Sequence, residues 1–108
     1  MHSTLIVARM RPEDSGPVAK IFGEFDKTEL PHLMGTRRRE LFHYRGLYFH
    51  LQDFDTDGGG AAIEEAKTHP LFVQISQDLK AYIDAFDPAT WRSPADAMAT
   101  RFYHWPPA

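Results

Sequence analysis

The chain has 108 residues, room for one domain and not two. Apolar residues make up 43% and include eight Phe, enough for a core, while a net charge of -3 offers no basic field to nucleic acid. There are no cysteines, which excludes a disulfide framework, a Cys-ligated metal and a Cys nucleophile.

Thr4 to Met10 alternates as a strand does, and Pro12-Glu13-Asp14-Ser15 ends it. Asp14 or Ser15 can cap a helix that tolerates Pro17 in its first turn. Val18, Ile21, Phe22 and Phe25 fall at i, i+3, i+4 and i+7, one apolar stripe, and Pro31 is expected to close the helix. Residues 34–44 and 47–54 read as a hairpin, followed by a flexible loop from Asp55 to Gly60. A helical segment is expected from Ala61 to Phe86, broken near His69-Pro70, with Phe72, Ile75, Leu79, Tyr82, Ile83 and Phe86 on one face. Asp87 to Asp96 reads as a loop and Ala99 to Trp105 as a last strand.

This order predicts an α+β domain spanning 1–108, a ferredoxin-like βαββαβ antiparallel sheet with two helices on one face. Both faces of the 47–51 strand are substantially apolar or aromatic, so the uncovered face is expected to pack against a second copy in a homodimer. The apolar part of MHSTLIVARM is too short for a signal peptide, and no run approaches the ~18 apolar residues of a membrane span. A soluble, cytoplasmic protein without membrane or nucleic-acid partners is the default expectation.

The most informative stretch is TRRRELFHYRGLYFHLQD, Thr36 to Asp53. Strict alternation would put Arg37, Arg39, Leu41 and His43 on one face, with Tyr48, His50 and Gln52 opposing Leu47, Phe49 and Leu51. A sheet that only closed a core would not need cations and imidazoles among its apolar residues. No H-x-H or HExxH spacing supports a metal site.

Aligned with the first helix, the hairpin resembles a known family, the small aromatic polyketide cyclases of the tetracenomycin F2 type. The matching pieces are DKTELP (Asp26 to Pro31), GTRRR (Gly35 to Arg39), LYFHL (Leu47 to Leu51), HPLF (His69 to Phe72) and Phe102-Tyr103 with Trp105. The resemblance implies a dimeric α+β barrel with a cavity between sheet and helices in each protomer. It also implies ring closure of a poly-β-ketone by intramolecular aldol condensation and dehydration, with no cofactor and no metal. It assigns catalysis to Asp26, Arg39 and His50, and substrate binding to Phe25, Tyr48, His69 and Phe72. Other polyketide synthase components are candidate partners. At Phe25 the type enzyme carries a histidine, so that role is lost or moved here.

Residue by residue, structural readings compete. Arg39 could pair with Glu40 or Asp53 on a sheet face, and Arg37 and Arg38 read as surface or dimer-rim charges. His50 could be a core hydrogen-bonder, His69-Pro70 a helix break, and Tyr103 and Trp105 core or dimer contacts. Two other functions stand beside cyclisation: a cofactor-independent oxygenase of an aromatic polyketide, and a non-catalytic polyketide-binding protein. As base, Asp26 and His50 remain alternatives.

Overall fold

A computed structural model describes residues 2–55, 59–92 and 94–105. Four strands, β1 (His2–Met10), β2 (Thr36–Tyr44), β3 (Leu47–Phe54) and β4 (Ile83–Ala85), form one antiparallel sheet in the order β2-β3-β1-β4. Four helices accompany them: α1 (Ser15–Phe25), α2 (Leu30–Leu33), α3 (Gly59–Ala66) and α4 (Pro70–Leu79). This is the ferredoxin-like α+β arrangement expected from the pattern.

The β2–β3 hairpin turns through two residues, Arg45 (φ 49°) and Gly46 (φ 85°). Two successive positive φ values belong to a type I′ turn, whose twist matches that of the strands it joins. From there β3 pairs with β1 from Arg9↔Leu47 to His2↔Phe54. The alternate residues Ile6, Ala8, Met10, Tyr48, His50 and Gln52 are all buried. Val18, Phe22 and Phe25 of α1 and Ile75 of α4 close over Ala8, Met10 and Tyr48. Both helices therefore cover the same sheet face. Leu5, Val7, Phe49 and Leu51 alternate with that set and are only partly buried.

Three expectations need correction. The helical periodicity does not run to Phe86: α4 stops at Leu79, and Ile83–Ala85 pairs with Ala8–Met10 as β4. The open edge of β1 supplies hydrogen bonds that a longer helix would forgo, and Tyr82 and Ile83 still reach the core. Ala99–Trp105 is accordingly not the last strand. Met98 bridges Ile6, the Ala99 N–H bonds to the Leu5 carbonyl at 2.6 Å, and regular pairing goes no further. Finally, Pro31 does not simply close α1, which ends at Phe25. Thr28 Oγ1 donates to the Phe25 carbonyl at 2.7 Å, and Pro31 sits in the first turn of α2, where a missing N–H costs nothing. Of the expected 55–60 loop, 56–58 lie outside the described residues, and Gly59 already belongs to α3.

Two glycines give opposite expectations. Gly46→Ala should destabilise by ~1–2 kcal/mol, because φ of 85° is unfavourable to any Cβ although nothing lies within 4 Å of one. Gly23→Ala, in the last turn of α1 with equally open space, should stabilise by ~0.5–1 kcal/mol. Urea denaturation of both variants checks the pair.

Candidate active site

The hairpin register determines which groups can meet. Arg39 lies opposite Gln52, Leu41 opposite His50 and His43 opposite Tyr48. His50 is therefore the diagonal neighbour of Arg39 on the helix-covered face, within reach of a long side chain. A bulge between Thr36 and Arg38 breaks the strict alternation. Arg37 is the extra residue, and it pairs with Asp55 at 2.7 Å instead of joining Arg39. Arg38 takes both partners that could have claimed Arg39, Asp53 at 2.8 Å and Glu40 at 3.2 Å. Buried Asp53 also accepts from the Ser3 hydroxyl.

Arg39 is left to the site, with its side chain only 9% exposed. Asp26 is the residue at which α1 ends, so the helix delivers its carboxylate to the edge of the sheet. Arg39 Nε donates to Asp26 Oδ1 and Oδ2 at 3.1 and 3.0 Å, and Nη2 donates to Oδ1 at 2.8 Å. Nη1 lies 2.8 Å from His50 Nε2. Guanidinium can only donate, so His50 Nε2 accepts and the ring proton sits on Nδ1. The carbon of the guanidinium lies 5.0 Å from the Phe22 ring centroid and 5.5 Å from that of Phe25. Phe22 also meets the His50 ring edge-on at 5.2 Å. The charge is thus gripped by a carboxylate fork, an imidazole and two aromatic faces, the arrangement for which arginine is better suited than lysine.

Burial, and then the neighbouring Arg39 charge, push His50 down to about 3. It is a neutral imidazole at any working pH, with its acceptor nitrogen engaged. Tyr48, 6.3 Å from His50 ring to ring, is pushed upward by burial against a smaller opposing pull from Arg39, so its phenol keeps its proton. Of the five Arg39 N–H groups, three are engaged by Asp26 and His50 and two are left for a ligand. Asp26 is the exposed member of the cluster at 40%, and so marks the side from which a ligand would approach.

The sequence-derived candidates divide. Asp26, Arg39 and His50 converge, with Phe25 and Tyr48 against them. His69 does not join: its Nδ1 accepts the Leu71 N–H at 3.1 Å and caps α4, as the helix-break reading had it. Phe72 packs against both core clusters, between the site and α3. Phe22 was legible only as part of the α1 stripe. Its i, i+4 relation to Asp26 places both on one side of the helix, and that spacing was the available signal. A cavity of about 320 Å3 lies beside Val7 and Phe86 at the β1 edge, away from the Arg39 cluster. The convergence of charge at Arg39, not that cavity, identifies the site. Among the described residues no three His, Asp or Glu side chains gather as a metal would require, and no helix is long and apolar enough to cross a membrane.

The sequence and the fold match those of a known protein family. The family model for the polyketide synthesis cyclase matches residues 2–106. An uncharacterized protein of Streptomyces coelicolor is 51% identical over 97% of this chain and 95% of its own. The polyketide synthase CurG of Streptomyces cyaneus is 44% identical over 97% of each chain. Tetracenomycin F2 cyclase of Streptomyces glaucescens is 38% identical over 96% of this chain and 94% of its own. The solved structure of that cyclase superposes with a TM-score of 0.88, at 36% identity over 100% of both chains. The chain belongs to the polyketide synthesis cyclase family.

The environment of His50 carries a pH dependence. Its folded-state pKa lies below the unfolded value of 6.5, so the unfolded chain binds more protons between the two. This contribution to stability is complete above about pH 6.5 and is lost as pH falls toward 3. Urea unfolding between pH 7 and 5 should show stability falling with acidification, at a slope approaching ~1.4 kcal/mol per pH unit. In His50→Gln, which retains an acceptor but cannot titrate, that part of the slope should vanish.

Proposed function

We propose that the protein closes a ring in a partly cyclised aromatic poly-β-ketone by intramolecular aldol condensation and dehydration, without a cofactor. The observation that carries this is the convergence of Asp26 and His50 on one buried guanidinium. Asp26 is the base. Its carboxylate accepts three N–H contacts out of about four lone-pair positions, leaving capacity for a proton on its exposed side. It removes a proton from a methylene between two carbonyls, a position already acidified by both.

The enolate oxygen is stabilised by the two remaining Arg39 N–H groups, fixed in place before the reaction and shielded from water. The nucleophilic carbon adds to a second carbonyl of the same chain, forming the C–C bond, and the resulting alkoxide takes up a proton. Loss of a further α-proton and of hydroxide releases one water and aromatises the ring. His50 is assigned a different role from Asp26. A neutral imidazole whose acceptor nitrogen already binds Arg39 holds that guanidinium in register and is not the base. The Tyr48 hydroxyl is the neutral donor for a second substrate oxygen. Phe25, where the type enzyme has histidine, shapes the wall of the site.

We further propose that the working form is a homodimer joined through the open sheet face. Leu5, Val7, Phe49 and Leu51 line that face, and Phe42 and Tyr44 are half or more exposed on it, an apolar patch of the kind that marks an interface.

Incubation with a partly cyclised aromatic polyketide, followed by mass spectrometry under air and under nitrogen, tests the reaction. Loss of one water in both atmospheres is expected, and an oxygen-dependent mass gain would place the protein among oxygenases instead. Arg39→Gln should lower turnover by about a hundredfold or more. His50→Gln should retain most activity, whereas His50→Leu should lose it. A His50→Gln variant as inactive as Arg39→Gln, with folding intact, would return the role of base to His50.

A further inference from the structure

Beside Arg39, the helix-covered face of the sheet carries more polar side chains than the charge cluster uses. Arg39 of β2 pairs with Gln52 of β3, and Gln52 pairs with Thr4 of β1, so the three stand in one row across the sheet. Direct cross-strand neighbours lie about 5 Å apart at their Cβ atoms. Gln52 is only 3% exposed, and its Nε2 donates to Thr36 Oγ1 at 2.7 Å. On β3, His50 and Gln52 separate Tyr48 of one apolar cluster from Phe54 of the other. The core is thus parted by a polar band that runs from Arg39 on the edge strand toward β1.

This band has bonding capacity to spare. A side-chain amide can donate twice and accept twice. Among the described residues the Gln52 amide makes the single bond to Thr36, and no donor meets its carbonyl oxygen. Thr4 Oγ1 is buried and has no hydrogen-bond partner among them either. Buried polar groups are normally satisfied, and an open one is unfavourable. A row that served only the core would hold at least as well with apolar side chains of the same shape. Two open groups on direct cross-strand neighbours, one position from the guanidinium, point to a ligand that supplies what the protein does not.

We propose that Gln52 and Thr4, with Thr36 behind them, form a second oxygen-binding subsite, which takes a neutral carbonyl or phenolic hydroxyl of the polyketide while Arg39 takes the oxygen that becomes an enolate. The proposal rests on the cyclase reading and adds a specificity determinant to it. A poly-β-ketone carries an oxygen on every second carbon, so a site that folds one has several oxygens to place at once. Arginine suits the anionic one. An amide and a hydroxyl suit a neutral one in either its keto or its enol form, because each can donate and accept. Thr36, which receives one N–H of the amide, is a positioning residue; Gln52 and Thr4 meet the ligand. A site built to hydrogen-bond an oxygen strongly rejects an analogue without it, so this row selects which carbon of the chain lies at Arg39.

The chain has three glutamines, Gln52, Gln74 and Gln77, so its side-chain amide NMR spectrum is simple. The probe is emodin, a trihydroxyanthraquinone that presents both carbonyl and phenol oxygens on a fused aromatic frame. Emodin is expected to shift the Gln52 amide signal and to leave those of Gln74 and Gln77 in place. Gln52→Met keeps the shape of the side chain and loses its amide. It should weaken emodin binding at least tenfold in calorimetry, with stability to urea unchanged or raised. The signal is read on the unaltered chain, so it decides the matter even if Gln52→Met folds poorly, and Gln52→Asn then assigns it. An unmoved Gln52 signal, with binding that Arg39→Gln abolishes, would overturn the subsite and leave the cyclase reading intact. Emodin that does not bind, or binds regardless of Arg39→Gln and Gln52→Met, would overturn both.

Discussion

The site depends on where one guanidinium is held. Arg39 stands on β2 near the edge of the sheet, and its charge is compensated by a carboxylate from the end of α1 and positioned by an imidazole from β3. Each partner comes from a different element, so the site exists only when the hairpin register and the α1–sheet packing are both correct. Phe22 links the two requirements, touching the guanidinium and the imidazole from one helix. A cation so nearly enclosed is costly unless its partners are in place, which ties the integrity of the site to that of the local fold.

The sheet reverses the usual allocation of its two faces. The polar set of β3, Tyr48, His50 and Gln52, lies against the helices, while Leu47, Phe49 and Leu51 face outward. Water is excluded from the side where ionic and hydrogen-bonding groups gain most from a low dielectric. One strand thus carries the candidate site on one face and an apolar surface on the other, and period-2 alternation keeps the two separate.

Much of this could be read from the chain because the relevant signals are local. The α1 stripe, the Arg45-Gly46 turn and the alternation of 47–54 each follow from a few neighbouring residues, and the motif spacing brought Asp26, Arg39 and His50 together by resemblance. What could not be read depends on distant pairing. Ile83–Ala85 is periodic with α4 and becomes a strand only because β1 has an open edge. The bulge at Arg37 leaves no mark in composition, yet it decides which of three successive arginines faces the site. The proposed preference for Asp26 over His50 as base also needed geometry, since only the donor direction shows that the imidazole nitrogen is already engaged.

The central claim is that His50 is a neutral acceptor holding Arg39 and not a proton carrier. Nitrogen-15 NMR of histidine-labelled protein, with His50→Gln to assign the signal, reads this directly. The account predicts a proton on Nδ1 and a bare, hydrogen-bonded Nε2 from pH 7 down to at least pH 5. An imidazolium in that range, or a proton resident on Nε2, would contradict it.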